Sequence, residues 1–126
     1  MTETKKILLA EDDQFIARAG KAGLTRAGFE VDTARDGEEA LQKISENPPD
    51  LLLLDLVMPN KDGFEVLEEL NKSGDIKKFP VIVFSNLGQD SDVERSKSLG
   101  AAYYLVKSNT SMKTVVQKVQ EQFKKA

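Results

Sequence analysis

The chain has 126 residues, and its 18 Lys and Arg residues against 21 Asp and Glu residues give a formal net charge of −3. This length suits one domain with one core, and the negative charge argues against nonspecific binding to nucleic acid. The chain has no cysteine and no histidine, which excludes disulfides, thiolate nucleophiles, histidine-ligated zinc and catalytic triads with an imidazole base.

Strand and helix patterns alternate along the chain. The five predicted strands are Lys6 to Ala10, Phe29 to Ala34, Asp50 to Asp55, Pro80 to Phe84 and Ala102 to Val106. Helical patterns fill the gaps, so the sequence predicts an α/β fold with a doubly wound, five-stranded parallel sheet and helices on both faces. Four leucines, Leu51 to Leu54, run into Asp55, which is typical of a strand that is buried on both faces.

The predicted helices have recognisable ends. Asp13 is expected to cap the first helix, and Gly28 to terminate it. Three pairs have the spacing of capping boxes: Asp36 with Glu39, Asp62 with Glu65, and Ser91 with Glu94.

The apolar faces of the helices differ in strength. The last helix has a clear apolar stripe, formed by Met112, Val115, Val116, Val119 and Phe123. The fourth helix offers little beyond Val93 and Leu99, so we expect it to be weakly anchored and able to move at low cost.

Polar side chains follow four of the predicted strands. Glu11 and Asp12 follow the first, Asp55 ends the third, Ser85 follows the fourth and Lys107 the fifth. The carboxyl ends of parallel strands are where open α/β sheets bind ligands. Each residue alone has an ordinary explanation as a turn acid, a loop hydroxyl or a surface lysine, but their joint placement favours a site.

The chemistry of this set points to a metal and a phosphoryl group. Clustered carboxylates need a cation or a proton, and oxygen ligands without His or Cys favour Mg²⁺ or Mn²⁺. A lysine offers a point charge for a phosphoryl oxygen, and a serine offers a hydrogen-bond donor. A carboxylate beside a metal and a lysine is suited to attack phosphorus and form an aspartyl phosphate.

Along essentially its whole length, the chain resembles the receiver domains of bacterial two-component response regulators. The matching residues are Glu11-Asp12-Asp13, Asp55 with Met58-Pro59 and Asp62-Gly63, Ser85, and Gly100-Ala101 followed by Tyr104 and Lys107. The resemblance implies a single receiver domain over residues 1–126, with a flavodoxin-like sheet in the order 2-1-3-4-5. That order places the first and third strands, with their acidic ends, side by side.

The resemblance also implies a metal site. Asp12 and Asp55 would bind Mg²⁺ directly, together with the backbone carbonyl of Val57. Glu11 would act mainly through a metal-bound water.

It implies a phosphorylation site as well. Asp55 would accept a phosphoryl group from a sensor histidine kinase, a phosphotransfer protein or a small phosphodonor. Lys107 would contact the phosphoryl group, Ser85 would move to bond it, and Tyr104 would turn inward.

The implied function is a phosphorylation-driven switch. The face formed by the fourth helix, fifth strand and fifth helix would change shape and be read by a downstream protein. We expect a stand-alone cytoplasmic protein that is a monomer or weak dimer, without direct contact to nucleic acid or membrane. We expect no enzymatic activity beyond its own phosphorylation and dephosphorylation, and the sequence leaves open whether the chain is one domain of a longer protein.

Four residues near the site depart from the family pattern. Ser108 stands where a proline joined by a cis bond is usual, and a cis bond before another residue costs about 3–4 kcal/mol, so we predict a trans peptide after Lys107. Asn86 replaces a small residue, and Val57 and Leu87 replace polar groups that can orient water. We therefore expect a comparatively long-lived phosphate.

Three other functions remain open from the residues. A receiver-like binding module with vestigial phosphorylation is one, although the intact acidic and basic set argues against it. A Mg²⁺-dependent phosphohydrolase needs a second acid or base near Asp55, yet Val57 stands where one common pattern has Asp. A flavodoxin-type electron carrier needs a phosphate-cradling first loop, and Glu11-Asp12-Asp13 would repel phosphate.

Overall fold

The computed structural model describes residues 4–124 and has the predicted alternating architecture. The strands are β1 (Lys6–Ala10), β2 (Glu30–Ala34), β3 (Leu51–Leu54), β4 (Val81–Ser85) and β5 (Tyr103–Val106). The helices are α1 (Gln14–Arg26), α2 (Gly37–Glu46), α3 (Gly63–Ser73), α4 (Asp90–Ser98) and α5 (Met112–Lys124). Short 3₁₀ turns at Asp75–Lys77 and Lys107–Asn109 precede β4 and α5. Each predicted strand is therefore confirmed, with its ends moved by no more than one residue.

The five strands form one parallel sheet in the order β2-β1-β3-β4-β5. This confirms the predicted doubly wound fold and its switch in strand order between β1 and β3. In the register of that pair, Ala10 lies opposite Leu54. The two strands therefore end level with each other, and the residues that follow them, Glu11 and Asp55, start at the same edge of the sheet.

The leucines of β3 are divided between two cores. Leu52 and Leu54 pack in the cluster that also contains the buried side chains of α2 and α3. Leu51 and Leu53 pack in the opposite cluster, with side chains of α1 and α5. All four side chains are 1% exposed or less, and each such burial stabilises the fold by about 2 kcal/mol. A strand held on both faces gives Asp55 a fixed starting point.

The apolar stripe predicted for α5 is confirmed. Val115 and Val119 are fully buried, while Met112, Val116 and Phe123 pack partly buried against the same cluster. Helices α1 and α5 are the longest, at 13 residues each. None of the helices between residues 4 and 124 has both the length and the apolarity that a membrane crossing requires.

The helix ends agree with the sequence in part. Asp13 caps α1 by accepting from two backbone amides, and Gly28 follows α1 with a φ of 103°. Asp62 forms a complete capping box at the start of α3. Asp36 caps α2, but the box predicted there is incomplete because the carboxylate of Glu39 accepts from the backbone of the preceding Arg35 instead.

The predicted start of α4 was wrong. Helix α4 begins at Asp90 rather than after Ser91, because the backbone amides of Asp92 and Val93 already donate to the carbonyl of Gln89. Gln89 makes no side-chain cap.

Helix α4 is attached to the fold mainly by polar contacts. Its one buried residue is Ser96, which sequence reasoning did not single out. The guanidinium of Arg95 lies 4.2 Å from the ring centre of Phe64 and 2.8 Å from the carboxylate of Glu68. A helix held in this way has little apolar area to lose when it shifts.

Candidate functional site

The carboxylates predicted to be neighbours do lie together at the carboxyl edge of the sheet. One oxygen each of Glu11, Asp12 and Asp55 lies within 4.8 Å of the other two. The backbone amide of Asp55 donates to the carbonyl of Ala10 at 3.0 Å, which continues the β1–β3 ladder one residue beyond the strands. Glu11 is 1% exposed and Asp55 5% exposed, whereas Asp12 is exposed at the rim.

Lys107 reaches into this cluster from the turn that directly follows β5. Its Nζ donates to Oδ2 of Asp55 at 2.9 Å and lies 2.6 Å from Oε1 of Glu11. The side chain is only 9% exposed. The peptide bond to Ser108 is trans, as predicted, and this loop geometry still delivers the ammonium to both acids.

Burial and charge shape the ionisation of this group. Burial raises the pKa of Glu11 to about 7, against the opposing effect of Lys107 and with a further rise from the charge of Asp55. For Lys107, burial favours loss of the proton, but the carboxylates of Glu11 and Asp55 outweigh it and hold its pKa above the usual value. Near neutral pH the carboxyl of Glu11 is therefore divided between its protonated and ionised forms, while Lys107 keeps its positive charge.

The donor atoms fit a hard divalent cation. Oε1 of Glu11 is buried without a hydrogen-bond partner, because its contact with Lys107 has ion-pair distance but not hydrogen-bond geometry. The amide of Val57 donates to Oδ1 of Asp55 at 3.3 Å, which ties the following loop to the same carboxylate. Carboxylate oxygens at this spacing, without nitrogen or sulfur ligands, suit Mg²⁺ or Mn²⁺.

Ser85 and Tyr104 are joined to each other through the backbone of Leu87. The amide of Leu87 donates to Oγ of Ser85 at 3.3 Å, and the hydroxyl of Tyr104 donates to the carbonyl of Leu87. Burial, with added repulsion from Asp92 and Asp55, raises the pKa of Tyr104 to about 12. The phenol is therefore a hydrogen-bond donor at any physiological pH.

Sequence reasoning named the residues that meet at this edge of the sheet but missed contacts around them. It placed Leu87 beside the candidate site without predicting that its backbone would connect Ser85 with Tyr104. It did not predict that Phe15 would be 85% exposed at the start of α1. It also missed Asn60, whose φ of 66° is a conformation that asparagine tolerates better than most residues, so its type was an available signal.

The sequence model of a family described as response regulator receiver domain matches residues 7–120. Response regulator RR06 of Streptococcus pneumoniae is 47% identical over 85 residues, which are 68% of this chain and 38% of that protein. The gliding motility regulatory protein of Myxococcus xanthus is 38% identical over 113 residues, which are 89% of this chain and 14% of that protein. The chain thus spans less than half the length of these curated relatives.

Solved structures give the same result. The receiver domain of the Francisella response regulator 1452 has a TM-score of 0.89 at 31% identity, with 96% of this chain and 98% of that chain covered. A receiver domain protein from Methanospirillum hungatei has a TM-score of 0.88 at 27% identity, with 97% and 95% covered. Both matches therefore cover nearly the whole of this chain.

Proposed function

This chain belongs to the family of response regulator receiver domains, and from that membership we propose that it is a signalling switch phosphorylated on Asp55. Receiver domains are signalling domains rather than classical enzymes. The relatives of this chain are response regulators. We therefore infer that a sensor histidine kinase or a phosphotransfer protein donates the phosphoryl group to it. The cytoplasmic location and the single domain over residues 1–126 stay predictions.

One observation supports the proposal: Asp55 lies beside an ammonium and two further carboxylates, directly after a strand that is buried on both faces. Lys107 lies 2.9 Å from its Oδ2, and the oxygens of Glu11 and Asp12 lie within 4.8 Å. The carboxylate is nearly buried, yet it stands at the edge where the strand ends. This arrangement suits a nucleophile that must meet a phosphoryl group in a fixed direction.

In the proposed transfer, an oxygen of Asp55 attacks the donor's phosphorus. The bond from phosphorus to the donor's histidine nitrogen breaks, and the nitrogen keeps the electron pair. Lys107 orients and neutralises an oxygen of the transferred group. Glu11, Asp12, Asp55 and the carbonyl of Val57 would hold Mg²⁺, which supplies positive charge to offset the oxygens of the transferred group.

The signal would then pass along the second half of the sheet. A phosphoryl group on Asp55 offers an acceptor for the hydroxyl of Ser85, which now accepts from Leu87. The carbonyl of Leu87 also accepts a hydrogen bond from the hydroxyl of Tyr104. A movement of Ser85 would therefore shift the hydrogen-bond partner of the tyrosine. We propose that the face formed by α4, β5 and α5 responds, since α4 buries only Ser96, and that a protein partner reads this face.

Intact-mass measurement after incubation with acetyl phosphate and Mg²⁺ tests the proposal. We expect one phosphoryl adduct on the wild-type chain and none on Asp55→Asn. Asp50→Asn is the matched control, because Asp50 precedes the same strand at its opposite end, and this variant should be labelled like the wild type.

The outcomes separate the candidate functions. No adduct on the wild type, under conditions that label a known receiver domain, would refute phosphorylation and favour a binding module. Release of many equivalents of phosphate per chain would favour a phosphohydrolase. An adduct that persists in Asp55→Asn would place the acceptor elsewhere.

A further inference from the structure

The loop of residues 56–62, between β3 and α3, is fastened to the start of α2. The backbone amide of Gly37 donates to the carbonyl of Lys61 at 3.0 Å. The side-chain amide of Asn60 donates to Oδ2 of Asp36 at 2.7 Å. Two bonds, one from backbone and one from side chains, thus join segments that are 24 residues apart in sequence.

The two carboxylate oxygens of Asp36 accept hydrogen bonds from different segments of the chain. Its Oδ1 accepts from the backbone amide of Glu39 at 2.8 Å and caps α2, while Oδ2 accepts from Asn60. The bonds from Glu39 and Asn60 also lower the pKa of this carboxyl below its usual value, so Asp36 stays an acceptor well below neutral pH. A helix start is a rigid anchor, and the loop is tied to it.

The fit of the loop is tight on both sides. A Cβ added to Gly37 would lie 2.3 Å from the carbonyl oxygen of Lys61, and one added to Gly63 would lie 2.3 Å from the carbonyl oxygen of Asp55. Asn60 adopts the left-handed conformation, with a φ of 66°, and this turns its amide toward α2. The loop is therefore seated between the start of α2 and the end of β3.

We propose that Asn60 is a positioning residue for the metal site, acting through Asp36. This proposal rests on the proposed function, because it assumes that the carbonyl of Val57 in the same loop joins Glu11, Asp12 and Asp55 in holding Mg²⁺. Mg²⁺ demands near-ideal octahedral geometry, so a carbonyl on a loosely held loop binds it less well than one held in place. The bond from Asn60 to Asp36 thus sets the affinity for Mg²⁺ by fixing the loop before the ion arrives.

Two variants remove this bond while keeping the local backbone. Asn60→Gly permits the positive φ but removes the amide donor. Asp36→Ser keeps a cap for α2 but removes the second oxygen. Asn71→Ala is the matched control, since it removes an asparagine bond of 2.9 Å to the carbonyl of Leu99, far along α3 from the loop.

Calorimetric titration of the metal-free proteins with MgCl₂ is the test, with hydrogen exchange of the loop amides as a second readout. We expect each single variant to raise the Kd for Mg²⁺ about two- to ten-fold, the size of one solvent-exposed hydrogen bond, and to speed exchange at residues 57–61. The double variant should match the singles, because all three lack the same bond. Asn71→Ala should leave both readouts unchanged.

The failures are distinguishable. An unchanged Kd in Asn60→Gly, with a wild type that binds Mg²⁺, would overturn the positioning role and leave the proposed function intact. Effects of Asn60→Gly and Asp36→Ser that add in the double variant would also overturn it, because the two residues would then act separately. A wild type that binds no Mg²⁺ would overturn the proposed metal site itself.

Discussion

Replacing Glu11 with glutamine should stabilise the metal-free protein at alkaline pH, although it damages the metal site. Burial raises the pKa of Glu11 from 4.5 to about 7 in the folded chain. Between these values the folded chain binds a proton that the unfolded chain has released, so the free energy of unfolding falls as pH rises. The stabilising contribution of the protonated carboxyl is fully present below pH 4.5 and is lost progressively as the pH rises to about 7. Glu11→Gln keeps the shape and has no charge to desolvate.

The structure sets the size of the effect. A change in pKa from 4.5 to about 7 corresponds to about 3 kcal/mol, and water at the rim beside the exposed Asp12 reduces this to about 2 kcal/mol. We therefore expect Glu11→Gln to exceed the wild type in stability by about 2 kcal/mol at pH 8. At pH 5 the advantage should fall to about 0.8 kcal/mol, because the folded carboxyl is then protonated although the unfolded one is already largely ionised. Lys107 keeps its bond to Asp55 in both.

Urea unfolding at pH 5 and pH 8, each without and with Mg²⁺, measures the effect. Added Mg²⁺ should stabilise the wild type at pH 8 far more than it stabilises Glu11→Gln, because ligand binding to the folded state adds to its stability. Glu94→Gln, at an exposed position on α4, is the control and should show no pH-dependent difference. The reasoning is refuted if Glu11→Gln is no more stable than the wild type at pH 8, or if the difference is the same at both values.

Three further outcomes follow from the structure. Val57→Asn replaces a side chain that is 56% exposed with one that can orient water. The phosphate on Asp55 should then be lost several-fold faster when it is followed by intact-mass measurement. An unchanged lifetime would count against the prediction of a long-lived phosphate. Gly63→Ala would place a methyl 2.3 Å from the carbonyl oxygen of Asp55. It should lower the free energy of unfolding in urea by about 2–3 kcal/mol. A loss below about 0.5 kcal/mol would show that the loop backbone shifts to accommodate the methyl at little cost. Tyr104→Phe removes the bond to the carbonyl of Leu87 and should cost about 1 kcal/mol in the same assay, whereas no cost would mean that water replaces the phenol.

The sheet was predictable because its signals are local. The leucine run of β3 and the acidic ends of β1 and β3 lie in continuous segments, and parallel strands bring such ends to one edge. Lys107 was predictable for the same reason, since it directly follows β5. The order of the strands could be predicted only through the resemblance to a known family, because no single segment of the sequence shows which strands pair.

The contacts around the candidate site were less predictable. Asn60 and Asp36 are 24 residues apart, and no local spacing links an asparagine in one loop to the cap of an earlier helix. The start of α4 was misplaced because Ser91 and Glu94 have the spacing of a capping box, while backbone bonds to Gln89 had already begun the helix. Its attachment through Arg95, Phe64 and Glu68 depends on the packing of two helices and has no sequence pattern.

The link through Leu87 has a consequence for how the protein can be altered. Both of its bonds use main-chain atoms, the amide to Ser85 and the carbonyl to Tyr104, so every residue except proline supplies them. A scan of substitutions at this position would leave the link in place and report only on the side chain. At residue 87 itself, only a change to the backbone, such as an ester in place of the amide, removes a bond, whereas Tyr104→Phe removes one from the other side. The side chain at residue 87, which packs partly buried against the core beside α2 and α3, can therefore change in evolution without the loss of either bond.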